Sequence, residues 1–257
     1  MRSVCLILLL VLAAPILLHC EEITVAAASD LNFVFREVAG RFERETGNTV
    51  KLSFGSSGNF YSQIQNGAPY DVFFSADIEY PRKLETARLI EPGSFYPYAY
   101  GKLVLWASND SRIDVREGLK CLLDPQVRKI AIANPAHAPY GRAAEAALKK
   151  EGLYEKIAGK LVLGENISQT AHFVETGNAE VGLIALSLAV APELKAKGKY
   201  SLVSDDAYPR IVQAAVILKS SQRKATAQRF LEFIKTPAIA ALMKQYGFES
   251  IESGRER

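Results

Sequence analysis

The chain has 257 residues, 49% hydrophobic and 23% charged, enough for one large domain or two smaller ones with real cores. A formal net charge of +3 with no basic tract excludes a binder of the nucleic-acid backbone. Three cysteines, Cys5, Cys20 and Cys121, are too few and too badly placed for a disulfide framework.

Met1-Arg2 and the apolar run from Val4 to Leu18, interrupted only by Cys5 and Pro15, read as a secretory signal segment over 1–20. The run is too short and too early for a membrane span. The mature protein is therefore expected in the periplasm or another extracytoplasmic compartment. Leu17-Leu18-His19-Cys20 is similar to a lipobox, with His19 where a small residue is usual. Two forms stay open: a lipid anchor at Cys20, or cleavage near it to give a soluble product. Loss of Arg2 leaves 30 basic side chains against 28 acidic ones, and Cys121 remains as a small core residue.

After the signal, Ile23 to Ala28 reads as a strand. Leu31 to Thr46 follows with Leu31, Val34, Phe35, Val38, Ala39 and Phe42 at helical spacing, stopped by Gly47. Val50 to Phe54 is a second strand and Phe60 to Gln65 a short helix. Tyr70 to Ala76 is a nearly continuous apolar run, as in a strand covered on both faces, and Tyr80 to Leu89 returns as a helix. Further on, strands are expected at Lys102 to Ala107, Lys129 to Ala133, Leu161 to Leu163, Val181 to Ala185 and Arg210 to Leu218. Helices are expected at Arg142 to Glu151, through Glu175, on to about Lys197, at Gln222 to Ile234 and at Pro237 to Tyr246. This alternation predicts an α/β protein with mostly parallel sheets flanked by helices.

Four strand-to-helix junctions stand out: Ala28-Ser29-Asp30, Gly55-Ser56-Ser57-Gly58, Ala138-Pro139-Tyr140-Gly141-Arg142 and Glu165-Asn166-Ile167-Ser168. In open α/β sheets ligands sit beyond the carboxyl ends of strands, where all four fall. Ser29, Asp30, Ser57 and Ser168 are also good N-cap residues, so capping alone explains any one of them. Four together point to a shared site where helix N-termini and hydroxyls hold an anion.

The ordered set Ala26-Ala27-Ala28-Ser29, Ser53-Phe54-Gly55-Ser56-Ser57-Gly58 with Gln63-Ile64, Asp71-Val72-Phe73-Phe74-Ser75-Ala76-Asp77, Asn134-Pro135 with Pro139-Tyr140-Gly141, Glu165-Asn166-Ile167-Ser168-Gln169 and Tyr246-Gly247-Phe248 resembles the periplasmic molybdate-binding proteins that feed ABC transporters. The likeness covers essentially the whole mature chain. It implies a two-lobed, type II periplasmic-binding-protein-like fold with the ligand in the cleft. Lobe 1 would comprise 21–101 and 206–257, and lobe 2 would comprise 102–205, with crossings near Tyr98 to Leu103 and Ser204 to Ile211. It further implies a non-enzymatic receptor for molybdate or tungstate, a membrane permease as partner, a monomer, no cofactor, and no direct protein–metal ligand.

By position, the resemblance assigns hydroxyl and N–H donation to Ser29 and Ser57, and backbone N–H donation to Tyr140 and Ile167. Asp30 sits where some members use an Asn. Some members also place a Tyr hydroxyl on the anion where this chain has Ala185, so the Asp30 N–H is expected to substitute. Its carboxylate is expected to turn away and cap the helix at Leu31.

A buried dianion must have every oxygen hydrogen-bonded. Donor-only surroundings disfavour protonated oxyanions such as hydrogen phosphate, whereas sulfate is excluded by size. A receptor for sulfate or phosphate is the alternative within the class. A hydrolase using Ser29 or Ser57 would need His137 or His172 as base and has no Gly-x-Ser-x-Gly elbow. Arg142 reads as a surface helix residue and Trp106 as core or hinge. Tyr96, Tyr98 and Tyr100 read as packing at the lobe crossover rather than a ferric-ion site.

Overall fold

The structure, a computed structural model, describes residues 20–251. The expected signal segment lies outside these residues except for Cys20, which is exposed. Eleven strands are described: β1 Glu22–Ala28, β2 Thr49–Gly55, β3 Val72–Ser75, β4 Tyr96–Gly101, β5 Leu103–Ser108, β6 Ile130–Ala133, β7 Leu161–Gly164, β8 Val181–Ala185, β9 Gly198–Leu202, β10 Ile211–Ile217 and β11 Glu249–Ser250. They form two sheets, ordered β11-β4-β10-β3-β1-β2 and β7-β6-β8-β5-β9.

Both sheets are mixed. The β/α alternation accounts for their parallel halves, β2-β1-β3 and β7-β6-β8. Four antiparallel pairings come from β10 and β5, the strands on which the chain re-enters or enters a sheet from the other one, and short β11 adds another at the edge, with β4. Only Lys102 separates β4 from β5, so the chain passes between sheets in a single residue; it returns over 203–210. Lys102 bridges Asp205 at 3.2 Å and Glu249 at 2.7 Å, tying both passages together.

Register explains why the site forms where it does. β1 and β2 run parallel with Ala28 level with Gly55, so the loops that follow them emerge side by side. β3 lies on the other flank of β1, with Phe74 level with Ala27. In the second sheet Ala133 is level with Gly164, which places the next two loops together in the same way. The carboxyl ends of the two parallel halves face each other across the cleft.

Alternation along β3 sends Phe73 and Phe74 to opposite faces of the first sheet, both fully buried. Phe74 meets Phe35 edge-on at 4.8 Å, and Phe42 meets Phe230 at 5.1 Å, which holds the long helix Asn32–Thr46 and the helix Lys224–Ile234 on one face. Gly47 ends the former in the left-handed region, at φ 74°. Phe73 packs with Phe60 and Leu84 on the other face. In the second sheet Trp106 is buried in β5, beneath helices rich in alanine. Cys121 is buried as well, and burial pushes its thiol up to about 11, which makes it inert.

Two expectations change locally. The helix expected to run to about Lys197 is two short ones, Leu186–Ala189 and Pro192–Lys195, because Pro192 cannot continue the first. The segment after it is β9, an exposed edge strand whose polar Lys-Tyr-Ser pattern carries little strand signal. Among the described residues no helix is long and apolar enough to cross a membrane.

Candidate functional site

Ser29, Asp30, Ser57, Tyr140 and Ile167 all line one small cavity between the sheets, together with Ala28, Gly55, Ser56, Ala76, Ala138 and Pro139. None of these eleven residues is a lysine or an arginine, and Asp30 is the single acid. Each element supplies its donor for a local reason. Ser57 is the first residue of the helix Ser57–Gln65, Tyr140 the second of Pro139–Lys150 and Ile167 the first of Ile167–Glu175. N–H groups at these positions have no partner within their own helix. Asn166 caps its helix by accepting the N–H groups of Ser168 and Gln169, which leaves that of Ile167.

The capping explanation of the serines does not hold. Ser57 opens its helix without a side-chain cap, and so does the turn Ser29–Leu31. The cap of the helix after β7 is Asn166, not Ser168. Instead the Ser57 hydroxyl accepts the Ala76 N–H at 2.9 Å, and the Ser29 hydroxyl accepts the Ser168 N–H from across the cleft at 3.3 Å. Both hydroxyls are thereby oriented with their own hydrogens left to donate. The Ser168 hydroxyl, in turn, donates to the Ser29 carbonyl at 2.8 Å.

Asp30 is not a helix cap either; the helix at Leu31 has no side-chain cap. Its Oδ2 accepts from Gln213 Nε2 at 2.6 Å and from the Tyr140 hydroxyl at 3.0 Å. Tyr98 donates to the other end of Gln213 at 2.6 Å. Asp30, Gln213 and Tyr140 are nearly inaccessible, and Asp30 Oδ1 has no hydrogen-bond partner. Burial raises the Asp30 carboxyl from 3.8 to about 6, against the opposing pull of the Gln213 and Tyr140 hydrogen bonds. Burial likewise raises the Tyr140 and Tyr98 phenols, with the Asp30 charge adding to each. Gln213 carries no motif; its one signal is a lone amide within the apolar run of β10, at a register shift.

Further contacts close both walls of the cleft. The Gly58 N–H donates to the His137 carbonyl at 2.9 Å, the Ser56 hydroxyl meets His137 Nδ1 at 2.9 Å, and Asn59 donates to Glu165 at 2.7 Å. Arg142, expected on a surface, pairs with Asp77 across the cleft and donates to the Tyr80 hydroxyl at 3.2 Å. Histidine therefore meets Ser56, not Ser29 or Ser57, and His172 is exposed beside Glu175. Neither serine of the hydrolase reading has a base. Among the described residues no group of three His, Cys, Asp or Glu could hold a metal ion.

Two mixed sheets with a site between their strand ends define the class. Residues 23–249 match the model of the bacterial extracellular solute-binding protein family, and the chain belongs to it. It is thus a solute-binding protein and not an enzyme. Within the class, it is 40% identical over 227 residues to the molybdate-binding protein ModA of Rhodobacter capsulatus, covering 88% of each chain. Identity to ModA of Azotobacter vinelandii is also 40%, over 230 residues and 90% of each chain. A solved structure of the Azotobacter vinelandii periplasmic molybdate-binding protein superposes with a TM-score of 0.85 at 37% identity, over 90% of this chain and all of that one.

Proposed function

We propose that this protein captures molybdate or tungstate outside the cytoplasm and delivers it to the permease of an ABC importer. The observation that carries this reading is the cavity itself: hydroxyls and helix N-termini from four junctions converge on it without one basic side chain. Such a site suits an anion that is dianionic without carrying a proton. Its oxygens take charge-assisted hydrogen bonds of about 1.5–3 kcal/mol each, and the helix termini add partial positive charge. Ser29 and Ser57 give hydroxyl and N–H, Tyr140 and Ile167 give N–H, and the Asp30 N–H takes the place of the hydroxyl that Ala185 lacks. The molybdenum itself touches no protein atom. The names of the relatives similar along the whole chain point the same way.

In this reading 21–101 with 206–257 and 102–205 are the two lobes, and they turn about Lys102 and 203–210. Export and either an anchor at Cys20 or release belong to the same proposal, as does action as a monomer. Calorimetric titration with molybdate, tungstate, sulfate and phosphate tests it. Molybdate and tungstate are expected to bind at least a hundredfold more tightly than the other two. Equal binding of sulfate or phosphate would sink the molybdate reading and leave a general oxyanion receptor.

A further inference from the structure

An acid among the lining residues of an anion site is the feature that the donor-only account does not absorb. We propose that anion binding takes up one proton, held on the Asp30 carboxyl, so that Asp30 and Gln213 make affinity depend on pH. This inference rests on the oxyanion reading above.

The geometry restricts what the carboxyl can do. Oδ2 is held by two donors, Gln213 Nε2 at 2.6 Å and the Tyr140 hydroxyl at 3.0 Å, one from each side of the cleft. Oδ1 is buried without a partner in hydrogen-bond geometry; the nearby backbone N–H groups of Asp30 and Leu31 favour the ionised form less than burial disfavours it, so ionisation stays costly there. The titratable groups facing Asp30 are the Tyr140 phenol, on the helix Pro139–Lys150, and the Tyr98 phenol, on β4. From β10 comes only the neutral Gln213 amide. From the helix Leu186–Ala189 comes only the Ser187 hydroxyl, which donates to the Asp30 carbonyl at 2.7 Å. No Lys, Arg or His hydrogen-bonds to the carboxyl among the described residues, so no cation balances its charge.

A dianion placed beside Asp30 disfavours the carboxylate further, since like charges in low dielectric repel strongly. The carboxyl already sits at about 6, so the bound anion moves it through neutral pH. The sign follows. Below about pH 6 the proton is already present and binding takes up none. Above that, until the pKa of the liganded form, each pH unit weakens binding by up to about tenfold. Gln213 is a positioning residue: its amide supports the ionised form, and without it the proton is held to higher pH. Tyr140 reaches Asp30 across the cleft, so the same network joins its two sides.

The test is molybdate titration of the mature protein at pH 7.5 in two buffers of different ionisation enthalpy, with Kd followed from pH 6 to 8.5. Wild type is expected to take up more than half a proton, and Asp30→Asn close to none, with a flat Kd profile. Gln213→Leu is expected to shift the rise of Kd to higher pH, which mere loosening of the fold would not do. It also serves if Asp30→Asn fails to fold, as read from its melting curve. Molybdate binding with less than half a proton taken up, or equal uptake by Asp30→Asn, overturns this inference alone. Absence of molybdate binding to wild type at every pH overturns the oxyanion reading, and this inference with it.

Discussion

Ser57→Ala is expected to raise the dissociation constant for molybdate by about 5- to 150-fold, the equivalent of about 1–3 kcal/mol lost with one hydrogen bond to a buried group. The Ser57 side chain is fully buried, and its hydroxyl already accepts the Ala76 N–H at 2.9 Å. That bond occupies an oxygen lone pair and fixes the rotor, so the hydroxyl meets the anion as a donor that has paid its ordering entropy in advance. The substitution also orphans the Ala76 N–H, so the melting temperature is expected to fall with the affinity. Ser29→Ala separates the two effects. The Ser168 N–H that bonds Ser29 Oγ retains Asn166 Oδ1 at 3.1 Å, so stability should change little while affinity drops by a similar factor. Titration calorimetry beside thermal unfolding reads both quantities. Unchanged affinity in both variants would show that the anion sits elsewhere.

Gly58→Ala is expected to weaken binding on the order of tenfold or more by holding the lobes apart. A Cβ on Gly58 would lie 2.6 Å from the His137 carbonyl oxygen, 2.9 Å from its Cα and 2.7 Å from the Tyr80 hydroxyl. The tyrosine can rotate away, but the His137 backbone lies in the turn after β6, on the opposite side of the cleft, and yields only if the cleft opens. Overpacking of this kind costs about 1–3 kcal/mol. The first sheet and its helices lose nothing by the change, because alanine suits a helix better than glycine. Small-angle scattering with saturating molybdate should give a larger radius of gyration than for wild type. A variant as compact and as tight-binding as wild type would show that this wall does not close on the ligand.

How much could be read from the residues varies with how local the cause is. The β/α alternation was legible because each buried strand is a short apolar run and each helix repeats its apolar face within a few turns. The four junctions around the cavity were legible because each marks a strand end running into a helix start, and register then brings those ends together; Ser29, Asp30, Ser57, Tyr140 and Ile167 within them were singled out only by the family resemblance. What escaped depends on long-range pairing. Nothing near Asp30 announces Gln213, which lies 183 residues away in a strand that otherwise reads as plain core. Local logic made Asp30 a cap, since an acid at a helix start usually is one; two partners from other elements outcompeted that role. Arg142 looked like a surface charge because its partner, Asp77, comes from the opposite wall of the cleft. The antiparallel halves of both sheets were hidden for the same reason, since they depend on where the chain crosses between sheets.

In the proposed complex one oxyanion is held by donors from both sides of the cleft and by no positive side chain. A crystal structure of the mature protein with molybdate, located by anomalous scattering from molybdenum, tests this most directly. A single peak is expected within the cavity, the anion's oxygens in hydrogen-bond range of the Ser29 and Ser57 hydroxyls and the Tyr140 and Ile167 N–H groups. A peak outside that cavity, or an anion held by a lysine or arginine, would contradict it.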